Sequence, residues 1–233
     1  MKTFKVLSAL LTYPSREMIA VVSEFGAVLD SENLVPAAQR RALDALIEEI
    51  ASGELYDLQE SYGLLFDRSR ALALHLFEHV HGESRDRGQA MVDLRTLNED
   101  AGFAIAANEL PDFVPLFLEF LSTQPVTAAR DLLAQPAHIL AAMAERLGRR
   151  KSSYKAIFDA LVAIVAEAPQ RAIVDELLKG PDPDPMDFAV LDAAWEEEEV
   201  RFGPSSQNAC GHESLAARLR HATRAVKPTP SAL

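Results

Sequence analysis

With 233 residues and 25.5 kDa, the chain is long enough to bury roughly 70–75% of its unfolded surface in a core of its own. Its 35 acidic residues against 23 Lys and Arg leave a net charge of −12, which excludes a general nucleic-acid binder and a protein held to anionic lipid by basic patches. A hydrophobic share of 48% excludes an acidic disordered polymer, and the single cysteine, Cys210, excludes an intrachain disulfide framework.

The N-terminal run MKTFKVLSALLTYPSRE has a lysine-bearing start and a short apolar stretch. Ser8, Thr12, Tyr13 and Pro14 interrupt it and no small-residue cleavage site follows, so it reads as an amphipathic first helix rather than a leader. No stretch approaches the roughly 20 apolar residues that span a bilayer, and a soluble, cytoplasmic protein is expected. Helical apolar spacing then recurs down the chain: Phe4, Leu7, Leu10 and Leu11; Leu43, Leu46, Ile47 and Ile50; Leu116, Phe117, Phe120 and Leu121; Ile157, Leu161, Ile164 and Val165. Alternating β-branched strands bounded by Asn-Gly or Asp-Gly turns do not occur, so the expected class is an all-α, single-domain helical bundle. Breaks are expected at 13–15, 33–36, 52–53, 67–69, Gly82, Pro125, Gly148 and Pro169. Ser15 is expected to cap the second helix, Pro111 to stand as the first helical residue before an apolar run, and Ser152 or Ser153 to cap the helix through Ile157.

Character changes near Gly180. The stretch from there to Val200 carries Asp182, Asp184, Asp187, Asp192 and Glu196 to Glu199 with no Lys or Arg, whereas beyond it Arg201, Arg218, Arg220, Arg224 and Lys227 face only Glu213. The reading is a folded body over 1–180, then an acidic linker and a basic tail over 181–233, with Phe188, Val190, Leu191 and Trp195 available for a last docked helix and KPTPSAL expected to be disordered.

Catalytic motifs are sparse. His75, Glu78 and His79 spell H-x-x-E-H, which on a helix places two imidazoles on one face with a carboxylate base for zinc. Neither Glu99 nor Glu109 is tied by sequence to that helix as a third ligand, and the competing reading is an amphipathic helix burying Leu72, Leu76 and Val80. Ser152 and Lys155 have S-x-x-K spacing without the partner motifs of penicillin-recognising enzymes, and phosphate-cradling glycine loops are absent. No enzyme is expected; a zinc hydrolase through His75, Glu78 and His79 and a helical adaptor with an unrelated partner stay open as alternatives.

Two segments carry more polar specificity than packing needs. Residues 62–89, YGLLFDRSRALALHLFEHVHGESRDRGQ, set three histidines and four arginines among aromatic and aliphatic positions. Residues 109–120, ELPDFVPLFLEF, surround an apolar stripe with Glu109, Asp112 and Glu119, the pattern of an apolar groove rimmed by acids and suited to a basic-apolar peptide.

At these segments the sequence resembles the NarJ branch of the NarJ/TorD/DmsD family. The resemblance rests on Glu109, Pro111 and Asp112 followed by an apolar run ending Leu118, Glu119, Phe120, on FDRSRALALHLFEHVHGESRDRGQAMVDL over 66–94, and on L-L-x-Y-P over 10–14. Many relatives carry His directly after the Pro-Asp pair where this chain has Phe113, so no role of that His carries over. The resemblance implies an all-α, TorD-like chaperone without catalysis or a stably bound cofactor of its own. It implies binding in the cytoplasm to the cofactor-free catalytic subunit of respiratory nitrate reductase, partly through that subunit's N-terminal segment. The client is held there for insertion of bis-molybdopterin guanine dinucleotide and an iron–sulfur cluster, with cofactor-insertion proteins as further partners, before membrane docking. The residues expected to receive the client peptide are Tyr62, Leu65, Phe66, Asp67, His75, His79, Glu109, Pro111, Asp112, Phe113, Leu116, Phe117 and Glu119, with the acids meeting its positive charge and the imidazoles tuning affinity between pH 5 and 8.

Overall fold

The four apolar sets become the buried faces of four helices: α1 (Lys2–Leu10), α4 (Ala37–Ser52), α8 (Val114–Thr123) and α11 (Lys155–Ile164). The computed structural model describes residues 1–68, 70–81, 85–106, 109–165, 167–184 and 186. The remaining elements are α2 (Arg16–Val21), α3 (Phe25–Glu32), α5 (Leu55–Phe66), α6 (Glu78–His81), α7 (Arg85–Asp100), α9 (Val126–Ala134), α10 (Ala137–Arg149) and α12 (Arg171–Leu177), with 3-10 turns at Val22–Glu24 and Arg70–Leu72. Among the described residues there is no strand, only one isolated antiparallel bridge between His75 and Phe113. The expected break at Gly82, the last helix over 188–195, the acidic linker beyond residue 186 and the basic tail lie outside the described residues.

Helix α1 packs on α8 and α3, α10 on α11 and α12, and α11 on α4. Phe4, Leu7, Leu43, Leu46, Phe120, Phe158 and Leu161 are fully buried between them, each worth roughly 1.5–3 kcal/mol of transfer free energy. Two polar ties orient α1. Glu32, at the end of α3, accepts from the Lys2 and Thr3 amides and the Thr3 hydroxyl, each at 2.7 Å, and so caps the first turn of α1 from a neighbouring helix. Burial alone would raise the Glu32 carboxyl, but these bonds hold it below its ordinary value. On the buried side, the Ser8 hydroxyl donates to the Pro115 carbonyl at 2.8 Å.

Ser15 caps α2, accepting from the Met18 amide at 3.2 Å, and Asn33 ends α3 in the left-handed conformation. Pro111 is not a first helical residue: α8 starts at Val114, and Pro115 takes the place in its first turn where a missing N–H costs nothing. Gly148 lies inside α10, and the turn falls at Lys151, whose φ is 55°. Tyr154, not a serine, stands at the start of α11; Ser152 instead accepts from the Tyr154 amide at 3.3 Å within the preceding turn. Past residue 180 the chain still packs on the body, with Arg150 bonded to Asp182 at 2.6 Å and to the Pro183 carbonyl at 3.2 Å.

Arg146 on α10 is 4% exposed, and its guanidinium donates at 2.8 Å to the carbonyls of Ala71 and Leu177. One side chain therefore joins α10, the 70–72 turn and the end of α12. Burial lowers its pKa, with the charge of Asp182 opposing the shift. Replacement Arg146→Met removes both guanidinium bonds and should cost about 1–3 kcal/mol in urea unfolding. The amides of α12 should then exchange with deuterium faster than those of α4.

Candidate functional site

The chain between α5 and α6 does not continue as a helix because its backbone polar groups find partners in another segment. Leu76 N–H donates to the Asp112 carbonyl at 3.1 Å, and Val114 N–H, an orphan donor at the start of α8, donates to the Leu74 carbonyl at 2.8 Å. Between these two bonds lies the side chain of Asp112, with zero exposure, accepting from the Phe77 amide at 3.1 Å and from His75 Nδ1–H at 3.2 Å. This clamp fixes 74–77 against 112–114 and sets the rings of His75 and Phe113 5.3 Å apart.

Beside the clamp opens a cleft of about 390 Å³, lined by Thr12, Tyr13, Tyr62, Phe66, Asp67, Leu74, His75 and Phe113. Its floor is an aromatic cluster: Tyr62 lies 4.9 Å from Phe66 and edge-on to Tyr13 at 5.5 Å, and Tyr154 packs edge-on beneath Phe66 at 5.2 Å. The Tyr62 hydroxyl donates to the Leu11 carbonyl at 2.8 Å and Gln59 to the Pro14 carbonyl at 2.8 Å, so α5 holds the 11–14 turn in place. Burial pushes the Tyr62 phenol above its ordinary value and that of Tyr154 up to about 12, so neither is a titrating group of the site near neutrality. Tyr13 is 53% exposed on one wall. Asp67 is exposed at the rim, and desolvation there raises its carboxyl above the usual value, a shift that a bound cation would reverse.

The expected site residues divide accordingly. Tyr62, Phe66, Asp67, His75 and Phe113 meet in the cleft. Leu65 is half-buried against the core, and Pro111, Leu116 and Phe117 are buried, the α8 stripe being spent on packing. Asp112 lies beneath the cleft with its carboxylate occupied, not on a rim, and Glu109 and Glu119 are exposed outside the lining. Thr12, Tyr13 and Leu74 line the cleft but were not among the expected residues; the L-L-x-Y-P spacing was the available signal for the first two.

The zinc arrangement is corrected by the same clamp. His75 is in the bridge, not on a helix, and bonds to Asp112, while His79 Nε2–H donates to the Ala73 carbonyl at 2.8 Å and Glu78 pairs with Arg87 at 3.2 Å. Among the described residues no three His, Cys, Asp or Glu are grouped to hold a metal ion. The buried amphipathic helix offered against it is also replaced, by the 70–72 turn, the bridge and the short α6. His79 instead borders a second, smaller cleft of about 170 Å³ with Arg70, Glu78, Arg146 and Pro181.

Replacement Asp112→Ala removes the carboxylate that accepts from the Phe77 amide and should lower stability by about 2–4 kcal/mol, with Asp112→Asn costing less because an acceptor remains; urea titration followed by circular dichroism measures both. Burial lowers the pKa of His79, although its bond to Ala73 opposes the shift. The unfolded chain then binds more protons than the folded one just below the ordinary histidine value, so stability falls as pH drops from about 6.5. Replacement His79→Gln should reduce that loss in urea midpoints measured at pH 7 and pH 5.

A model of the nitrate reductase delta subunit family matches residues 32–160. The chain is 40% identical over 224 residues to the nitrate reductase molybdenum cofactor assembly chaperone NarJ of Escherichia coli strain K12, covering 96% of this chain and 93% of that one. It is 35% identical over 228 residues to a probable chaperone of the same kind, NarW, from that strain, covering 98% and 95%. A probable NarJ of Bacillus subtilis strain 168 is 30% identical over 173 residues, 74% of this chain and 93% of the relative. These relatives are assembly chaperones rather than enzymes, and among the described residues no helix is long and apolar enough to cross a membrane. With more than half of the chain matched by the family model and nearly all of it aligned to these chaperones, the chain belongs to the nitrate reductase delta subunit family.

Proposed function

We propose that the chain is a nitrate reductase molybdenum cofactor assembly chaperone that seats the N-terminal segment of the cofactor-free catalytic subunit in the cleft beside Asp112. It acts in the cytoplasm, keeping the client open to insertion of bis-molybdopterin guanine dinucleotide and an iron–sulfur cluster until the client docks at the membrane. The observation that carries the reading is the meeting of four separate sequence segments, 12–13, 62–67, 74–75 and 113, around one open apolar cleft. Aromatic walls accept an apolar anchor at low entropic cost, and Asp67 at the rim favours a segment bearing Lys or Arg. Apolar burial supplies most of the affinity in this arrangement, while charge selects the partner and speeds encounter.

Calorimetry with a synthetic peptide of the client's first residues tests the site. Tyr13→Ala should weaken binding by about tenfold or more, and Asp67→Asn by up to about fivefold at low salt with a flatter salt dependence. Because a bound cation favours the ionised form of Asp67, binding to the unsubstituted chain should strengthen as pH rises through that group's raised value. Unchanged affinity in both variants would remove the cleft from recognition. Co-purification should capture the cofactor-free catalytic subunit and not the loaded one.

A further inference from the structure

The basic tail has the chemistry of the ligand that the cleft is built for. Over 214–227, SLAARLRHATRAVK, Leu215, Leu219, Ala222 and Val226 fall at i, i+4, i+7 and i+11, one face of a helix, with Arg220, Arg224 and Lys227 on the other. From residue 201 onward five basic residues face one acid, whereas residues 1–186 hold 28 acids against 18 bases. The two parts of one chain are therefore opposite in sign.

The described chain ends close enough for this segment to reach the cleft. Arg150 holds Asp182 and Pro183 on the body, and Pro181 borders the smaller cleft together with Ala71. Leu74, in the wall of the larger cleft, is three residues from Ala71, so no more than about 11 Å of backbone separates the two borders. The 29 residues from Met186 to Leu215 span about 30 Å even as a coil, enough to return to the cleft without stretching. A tethered segment at this distance has an effective concentration in the millimolar range, so even a weak intrinsic affinity suffices for it to compete for the cleft.

We propose that residues 214–227 of the chain's own tail occupy the cleft as a pseudo-ligand, Leu215 and Leu219 against the aromatic walls and the arginines toward Asp67, and that the client peptide displaces them. The inference rests on the reading of the cleft as a peptide site. It makes client capture a competition: a segment too weak to displace the tail is refused, and the apolar cleft is covered when no client is present.

Cys210 is the single cysteine, four residues from Ser214, and takes a nitroxide label on the full-length chain without substitution. Amide signals of Thr12, Tyr13, Phe66 and Leu74 should be attenuated at least about twofold more than those of α9, and addition of client peptide should restore them. The double variant Leu215→Asp, Leu219→Asp should lose the selective attenuation and bind the client peptide about tenfold more tightly. Attenuation spread evenly over the surface, or unchanged peptide affinity in the double variant, would overturn the proposal. Selective attenuation that appears only between a labelled and a separate isotope-enriched copy would overturn it in favour of a second chain as the occupant. Peptide capture at the cleft with even attenuation leaves the client reading standing and removes the tail; selective attenuation without peptide capture does the reverse.

Discussion

A carboxylate with no exposure must find donors inside the protein, and Asp112 finds them in the Phe77 amide and the His75 ring, 35 and 37 residues away. The cost of burying that charge is offset only while both donors stay in place, which makes the junction nearly all-or-none. Much follows from it. The 74–77 backbone is held as a bridge and a turn instead of a helix, the first amide of α8 is capped by Leu74 instead of by a local side chain, and Phe113 is turned toward the cleft while its neighbours Val114 and Phe117 enter the core.

The same segment is gripped from the other side. Arg146 reaches through the body to the Ala71 carbonyl, so residues 71–77 lie between a buried cation and a buried anion that do not pair with each other. Each charge is bonded to at least one backbone group of this segment, and a backbone group, unlike a side chain, cannot rotate away to solvent. Such an arrangement specifies one conformation for a stretch that has weak helical or strand preference of its own. It also gives the cleft a rigid edge.

The lining of this cleft combines apolar walls with a single rim acid. The net charge of −12 is unevenly distributed: the body is acidic, the tail basic, and only Asp67 brings negative charge to the lining. Glu109 and Glu119, the other acids expected at a groove, are exposed away from it. In the proposed reading, specificity would come from which apolar residues fit between Tyr13, Phe66 and Phe113 and from whether a positive charge follows them.

The sequence by itself determined the all-helical class, the four principal buried faces and the Ser15 cap, because helical periodicity and an N-cap depend on residues within a turn or two of each other. It also carried the family resemblance, and so the kind of client, and it marked Tyr62, Phe66, Asp67, His75 and Phe113. Tertiary structure alone decided that Asp112 is a buried clamp rather than a rim charge, that His75 and His79 point to different partners, that Leu116 and Phe117 are core, and that Thr12, Tyr13 and Leu74 complete the cleft. The physical reason is common to all of these. Each depends on a hydrogen bond or packing contact between segments tens of residues apart, and a residue's spacing along the chain does not say which distant backbone group will satisfy it.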